Sequence, residues 1–260
     1  MTRTGVQWGR MVTDLSQADR AAADGFDFVH AAPELVPALE DHEVVRQKER
    51  PRGSALPFAV CGVPLPAGVR VTEKGFNLYV WTEHVRHTLR HMADLGCRTV
   101  AWSDGRARVL PVEGEVAGLK EQALQFLFML CEAAGSFGMT VLVEPLGPRR
   151  TNFLNSMSEI GAFLPQVGKD NLSSMVSLRE LEAIGLTPVQ LPFHRQLIGH
   201  VQIENPDPVG GERRCPRPND GHDYRPFLKA LKGSGYAETI TLPADADAAG
   251  LAYCRRLWTE

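Results

Sequence analysis

Short apolar runs alternate with longer segments of helical periodicity along almost the whole chain. The apolar runs predict eight β-strands, at residues 5–8, 26–30, 57–61, 98–102, 140–144, 172–177, 198–203 and 238–242. Apolar residues at helical spacing predict the helices between them, at residues 14–25, 33–47, 76–96, 117–138, 156–167, 187–197, 224–233 and 245–258. The pattern therefore consists of eight successive β–α units without an internal repeat.

Eight β–α units in 260 residues have the size and order of a TIM barrel. Continuously apolar strands, such as the one that reaches Val143, suit a parallel sheet covered on both sides. We therefore predict an α/β fold with one (β/α)8 TIM-barrel domain over residues 1–260. A doubly wound open sheet is the alternative, and the absence of a G-x-G-x-x-G turn after the first strand weakens it.

Composition and charge argue against nucleic-acid and membrane partners. The formal net charge is −3 and the basic clusters, at residues 46–52 and 213–214, are short and interrupted, so no nucleic-acid partner is expected. The longest apolar block, residues 123–131, is too short to span a bilayer, and the N-terminus lacks a signal-peptide pattern. Five widely spaced cysteines without a C-x-x-C pair indicate reduced thiols and a cytoplasmic protein.

The candidate chemistry lies at the predicted strand ends. Glu144 closes an apolar strand and is followed at once by Pro145, Leu146 and Gly147. In a TIM barrel the carboxyl ends of the strands meet at the active-site mouth. Glu144 is therefore predicted to face that mouth, although a structural carboxylate bound to loop amides is the alternative.

Several stretches resemble one family over nearly the whole chain. VLVEPLGPRRTNFLNS is similar to the fifth-strand region of the xylose isomerase-like TIM barrels, the sugar phosphate isomerase/epimerase superfamily. GFDFVH resembles its second strand, GHVQIENPD its seventh, and HDYRPFLKALKGSGYAETITL its seventh helix and last strand. The superfamily contains epimerases, isomerases, dehydratases and nucleases, so the resemblance implies the fold more specifically than the activity.

The resemblance also implies a metal site. Relatives typically bind one Mn²⁺ or Mg²⁺ through Glu, Asp, His and Glu on strands five to eight, and two carboxylates move the proton of the sugar. Glu144 matches the first ligand, but the other three positions hold Ser177, Gln202 and Pro243. The substrate-contacting His of relatives falls on Glu180. Because hard ions depend on anionic oxygens, we expect binding of Mn²⁺ or Mg²⁺ to be severely weakened, or no cofactor at all.

These assignments lead to a functional hypothesis. The chain is expected to act on or bind a small sugar, sugar phosphate or polyol at the barrel mouth, as an isomerase or epimerase if it is active. Glu144 and Glu180 are the catalytic candidates, and His200, Gln202 and Arg214 (or its neighbour Arg213) are the substrate-binding candidates. The alternative is a catalytically silent, metal-free relative that binds carbohydrate or regulates a partner. A metal-dependent endonuclease fits poorly, because the chain lacks a cluster of His and acids and a basic groove.

For several other polar residues, a structural role is an alternative to a functional one. His200 lies on an apolar strand, as an interior histidine would, and Asn152 and Asn155 are expected to order the loop after the fifth strand. His84, His87 and His91 form one helical stripe that is able to hold a transition metal, although a solvated or interface face is favoured. His30 has no assigned role, and a homodimer is expected only by analogy with the family.

Overall fold

The computed structural model describes residues 5–49, 56–113, 115–206 and 211–260. Eight parallel strands form a closed barrel in chain order, β1 beside β2 and so on until β8 pairs with β1. The strands are β1 (Gln7–Val12), β2 (Phe28–Ala31), β3 (Val60–Gly62), β4 (Thr99–Trp102), β5 (Thr140–Val143), β6 (Leu172–Ser177), β7 (Ile198–Gln202) and β8 (Thr239–Leu242). The predicted TIM barrel is confirmed, and the open-sheet alternative is wrong because the β1–β8 pairing closes the sheet.

Within the described residues, eight α-helices cover the barrel. They are α1 (Gln17–Ala23), α2 (Asp41–Lys48), α3 (Leu78–Asp94), α4 (Val116–Gly135), α5 (Met157–Phe163), α6 (Leu178–Ala183), α7 (Arg225–Gly233) and α8 (Ala248–Thr259). Side-chain caps begin several of them: Asn77 accepts from the backbone N–H of Tyr79, and Ser156 accepts from that of Glu159. Such caps satisfy donors that the first helical turn leaves without partners.

The helix predicted at residues 187–197 is a 3₁₀ segment, Pro188–Leu197, rather than an α-helix. Pro192 within it has no N–H to donate. The structure also contains α6, which the apolar pattern did not predict. The first strand lies at Gln7–Val12 rather than residues 5–8. The apolar pattern missed its second half because that half contains the partly exposed Arg10 and Met11.

The barrel interior is filled in two tiers. The apolar tier consists of Phe28, Val60, Ala101, Leu142 and Met175, all buried. A Cβ at Gly9 would overlap the Phe28 ring, so glycine on β1 leaves the space that Phe28 fills. A polar tier follows towards the carboxyl ends of the strands and begins with His200, whose ring lies 6.4 Å from that of Phe28.

Candidate functional site

The residues of the barrel mouth lie on β5, β6, β7 and the chain that follows each strand. Three carboxylates gather there, those of Glu144 directly after β5, Glu180 in the first turn of α6, and Glu204 two residues after β7. Each residue is at most 4% exposed. Because a buried carboxylate is costly without a counter-charge, the arrangement requires a nearby cation.

Arg213, in the segment between β7 and α7, supplies that cation. Its Nη1 donates to Oε1 of Gln202 at 2.8 Å and lies 3.5 Å from Oε1 of Glu204. Its Nη2 lies 3.8 Å from Oε1 of Glu180. Burial alone would lower the pKa of Arg213, but the charges of Glu204, Glu144 and Glu180 outweigh burial and raise it. The guanidinium is therefore charged and fixed among the three carboxylates.

Glu144 differs from the other two carboxylates. Neither Oε atom has a hydrogen-bond partner among the described residues. Burial raises the pKa of Glu144 to about 7, the charge of Arg213 opposes that rise, and the charges of Glu180 and Glu204 add to it. The Ser177 hydroxyl lowers this pKa but does not reach hydrogen-bonding geometry. Glu144 is thus a buried carboxyl group whose pKa lies near neutral pH.

A second buried arginine lies beneath Glu144. Nη2 of Arg108, in the segment after β4, donates to the backbone oxygen of Glu144, and its guanidinium lies 5.6 Å from the centre of the Trp102 ring. Burial lowers the pKa of Arg108 to about 10, against the charge of Glu144. Arg108 is fully buried, and it therefore supports Glu144 from inside the fold.

Glu180 is held by the loop after β5. Its Oε2 accepts from the backbone N–H of Gly147 at 2.8 Å, and its Oε1 lies 3.5 Å from Nη1 of Arg150. The helix that carries it begins at Ser177, whose hydroxyl accepts from the backbone N–H of Glu180 at 3.3 Å. The Ser177 hydroxyl is therefore engaged as a helix cap.

A chain of hydrogen bonds runs from the mouth into the polar tier. Gln202 contacts Nδ1 of His30 at 3.3 Å, and Nδ1 of His30 and Nε2 of His200 both contact the Thr241 hydroxyl. Because arginine only donates, Gln202 presents its oxygen to Arg213 and its amide nitrogen to His30. Nδ1 of His30 must then accept, which places the ring proton on Nε2.

Both histidines of this chain are neutral. Burial is the main cause that lowers the pKa of His30 well below its usual value, and the charge of Arg213 adds to it. Burial lowers the pKa of His200 to about 3. Nδ1 of His200 also bonds the Thr239 hydroxyl at 2.7 Å, so both of its ring nitrogens are satisfied inside the barrel. His200 lies beneath the mouth, as in the interior alternative, and His30 acquires a structural role.

The open part of the mouth is a cavity of about 600 Å³ between the loops after β5, β6 and β7. Its lining contains four arginines and two glutamates, namely Arg149, Arg150, Arg179, Arg213, Glu180 and Glu182. A volume of this order suits a small ligand. The excess of guanidinium groups favours an anionic one.

The predicted site residues divide between this cavity and its surroundings. Glu180 lines the cavity, whereas Glu144, Gln202 and His200 lie buried outside its lining. Arg214 is not in this cavity: its side chain is 69% exposed, with Nη2 3.8 Å from Glu212. The structure therefore brings Arg213 to the mouth rather than Arg214.

Glu204 was not among the predicted site residues. It follows Gln202 by two positions, and extended chain places such residues on one face. The two-residue period of a strand therefore could have identified Glu204 as a neighbour of Gln202 in the site. Asn152 and Asn155 order the loop as expected. Asn152 bonds the backbone of Leu110 through both side-chain atoms, and Asn155 donates to the carbonyl oxygens of Leu146 and Thr151.

The donor set at the family's metal positions does not fit Mn²⁺ or Mg²⁺. Oε1 of Gln202 is occupied by Arg213, the Ser177 hydroxyl caps α6, and Pro243 has no side-chain donor. Among the described residues, the ligand atoms of three acids, histidines or cysteines converge within 4.8 Å only at Asp41, His87 and His91, away from the mouth. A hard cation needs several oxygen ligands in one coordination shell. At this mouth the guanidinium of Arg213, and not a metal ion, contacts the oxygens of Gln202, Glu204 and Glu180.

None of the described helices is long and apolar enough to cross a membrane. All five cysteines are buried and free of disulfide bonds, as expected.

Comparisons with known proteins agree with the fold. A D-psicose 3-epimerase structure is 15% identical and superposes with a TM-score of 0.81 over 98% of this chain and 100% of its own. A D-allulose 3-epimerase from Methylomonas sp. is 18% identical, with a TM-score of 0.76 over 98% and 91%. A 3-keto-D-glucoside 4-epimerase from E. coli is 15% identical, with a TM-score of 0.78 over 96% and 99%.

No curated protein sequence matches the chain. The family model described as xylose isomerase-like TIM barrel matches residues 17–253. The chain therefore belongs to the xylose isomerase-like TIM barrel family.

Proposed function

We propose that the protein binds a small anionic carbohydrate, such as a sugar phosphate or sugar acid, in the cavity between the β5, β6 and β7 loops. The observation that carries this proposal is the lining of the cavity, in which four guanidinium groups face two carboxylates. Arginine pairs with phosphate and carboxylate through parallel hydrogen bonds. The sugar part of the ligand is inferred from the epimerase structures that share the fold.

Arg213 and Glu180 form the inner end of the cavity. Arg213 is anchored by Gln202 and Glu204, so it is preorganised and loses little entropy when a ligand arrives. Glu180 is fixed by Gly147 and Arg150 and is placed to accept hydrogen bonds from sugar hydroxyls. Arg150 is half-exposed and stands where it can meet the anionic group. Arg149, Arg150 and Arg179 add positive charge to the cavity, so binding of this kind requires no divalent ion.

The test is a titration calorimetry series on metal-depleted protein with matched ligand pairs: ribulose 5-phosphate and ribulose, fructose 6-phosphate and fructose, and inorganic phosphate alone. At least one sugar phosphate should bind tenfold or more tightly than its neutral sugar and than phosphate. Arg150→Ala should weaken it about tenfold, the order expected for one charge-assisted contact. Arg106→Ala, an exposed arginine outside the cavity, is the matched control. Equal affinity for charged and neutral sugars, or equal losses in both variants, would contradict the proposal.

A second candidate function is conversion of the bound sugar by proton transfer, as an isomerase or epimerase. The observation that favours it is that the carboxyl of Glu144 is buried without a hydrogen-bond partner among the described residues. This burial raises the pKa of Glu144 to about 7, which is suited to a general acid–base group. Glu180 would be the second carboxylate. Because Glu144 is fully buried, proton transfer requires the mouth to open over it.

Deuterium uptake from D₂O into the sugar C–H positions tests this candidate by NMR. Conversion predicts uptake that falls at least a hundredfold in Glu144→Gln, with binding of the sugar phosphate retained. Binding without uptake would leave the catalytically silent alternative, a carbohydrate-binding relative, as the function.

A further inference from the structure

A second cluster of polar side chains lies on the outer surface, between α2 and α3. Asp41 is the first residue of α2, and His87 and His91 lie one helical turn apart on α3. Oδ1 of Asp41 lies 3.3 Å from Nε2 of His87 and 3.0 Å from Nε2 of His91. The two imidazole rings are 4.3 Å apart. Three potential ligand atoms therefore converge on one point from two helices.

The spacing of these atoms suits a tetrahedral metal ion. Zinc bonds of about 2.0–2.2 Å to nitrogen and oxygen place neighbouring ligand atoms about 3.3–3.5 Å apart. The two distances from Asp41 are within 0.5 Å of that range, and all three atoms lie within 4.8 Å of one another. Histidines at i and i+4 of a helix are a recurrent zinc-binding arrangement. Only small side-chain movements are needed to complete the shell.

The cluster is partly rigid and partly open. The His91 side chain is 9% exposed, whereas those of His87 and Asp41 are 52% and 78% exposed. His91 thus provides a fixed ligand between the helices, and an ion has access from solvent. Lys48 and Asp94 form a 2.9 Å ion pair that also joins α2 to α3. This ion pair adds a further contact between the two helices that carry the ligands.

We propose that Asp41, His87 and His91 bind one transition-metal ion of the Zn²⁺, Co²⁺, Ni²⁺ or Cu²⁺ class, with water completing the coordination. Two imidazoles and one carboxylate favour these ions over Mg²⁺ and Mn²⁺. The bound ion would cross-link α2 to α3 and stabilise the folded state by mass action. The site is separate from the carbohydrate cavity and does not rest on the function proposed for that cavity.

The test uses full-length protein without a histidine tag, stripped with chelator and then titrated with Zn²⁺ by calorimetry. One equivalent should bind with a dissociation constant of 10 μM or less, and Co²⁺ should give the visible absorption of a tetrahedral complex. His87→Gln, on the more exposed ligand, should weaken Zn²⁺ binding at least tenfold. His42→Gln, an exposed histidine beside Asp41 and outside the cluster, should bind Zn²⁺ as the wild type does.

Two results would overturn the site. One is the absence of stoichiometric Zn²⁺ binding with a dissociation constant of 10 μM or less, and the other is a His87→Gln variant that binds Zn²⁺ as tightly as the wild type. Glu144→Gln identifies the location of any ion that does bind. Zn²⁺ retained by Glu144→Gln and lost by His87→Gln supports the outer cluster. The reverse result would place the ion at the barrel mouth and contradict both the outer site and a metal-free mouth. Circular dichroism of each variant shows whether a loss of binding reflects unfolding.

Discussion

The barrel mouth and the α2–α3 surface both gather carboxylate and nitrogen-bearing side chains, but only the mouth contains a permanent positive charge. At the mouth, the carboxylates of Glu144, Glu180 and Glu204 are buried and share the guanidinium of Arg213. At the surface, Asp41 meets two imidazoles and is itself 78% exposed. The first group supplies its own cation, whereas in the second the Nε2 atoms of both histidines converge on one exposed carboxylate oxygen. The capacity to bind a metal therefore follows the local charge and hydrogen bonding, rather than the strand-end positions that the family uses.

Removal of the cation at the mouth should have the largest effect on stability. Arg213→Ala should destabilise the protein by about 3–5 kcal/mol at pH 7.5, because it leaves buried carboxylates without their partner. Urea unfolding measures the change. Arg214→Ala, whose side chain is 69% exposed, should stay within about 0.5 kcal/mol of the wild type. A loss below 1 kcal/mol in Arg213→Ala would mean that the carboxylates do not depend on this guanidinium.

The cost of the unpaired carboxylate at Glu144 gives the next largest effect. Its folded-state pKa of about 7 lies above the ordinary value of 4.5, so the native state takes up the proton more readily than the unfolded chain. The stabilisation is fully present below about pH 4.5 and is lost as the pH rises through about 7. The shift corresponds to about 3 kcal/mol.

Glu144→Gln should remove that pH dependence and raise the free energy of unfolding at pH 8 by about 2–3 kcal/mol relative to the wild type. The two proteins should differ little at pH 4.5. Urea unfolding at both pH values measures the difference, with Glu83→Gln, an 84% exposed side chain, as the control. If the free energy of unfolding depends on pH in the same way for the wild type and Glu144→Gln, then ionisation of Glu144 does not destabilise the fold.

Gln202 tests the hydrogen-bond chain below the mouth. Gln202→Met keeps the length of the side chain but removes the acceptor for Arg213 and the donor to His30. Leaving such buried groups without partners should cost about 1–3 kcal/mol in urea unfolding. Gln125→Met, on an exposed helical position, should be nearly neutral. Equal effects at the two sites would argue against a structural role for the chain.

The surface cluster should show the smallest effect in the absence of metal. Asp41→Asn should change the free energy of unfolding by less than about 1 kcal/mol, because exposed ion pairs contribute little. Thermal unfolding in the presence of a chelator measures this change, and in excess Zn²⁺ the gap to the wild type should widen. A large loss of unfolding free energy without metal would indicate that Asp41 stabilises the fold through His91 and does not serve mainly as a metal ligand.

The fold was predictable from the sequence because each strand pairs with its neighbours in chain order. The sixth predicted strand coincides with β6, and the fifth, seventh and eighth agree with β5, β7 and β8 to within one residue at each end. The short helix α6 escaped the periodicity argument, since six residues give too few turns for a pattern. The spacing Ser177-x-x-Glu180 is that of a capping box and was its available signal.

The candidate site was less predictable, for a geometric reason. The predicted strand ends identified Glu144, Gln202 and their neighbours, because the regular geometry of the strands brings their carboxyl ends to one mouth. Arg213 and Arg214 are adjacent in an irregular segment, and no periodicity tells which of them turns inward. The outer cluster depends on the packing of α2 against α3, so the histidine stripe alone did not reveal Asp41 as its third member.

The position of Arg213 also affects how readily the mouth takes up protons. Its side chain contacts Gln202, Glu180 and Glu204, and its charge lowers the pKa of Glu144 and of Glu204. If the guanidinium moves away from these two carboxylates, their affinity for protons rises. Such a movement should therefore draw protons from solvent and be favoured at acidic pH. The arginine thereby couples its own position to the protonation of the mouth.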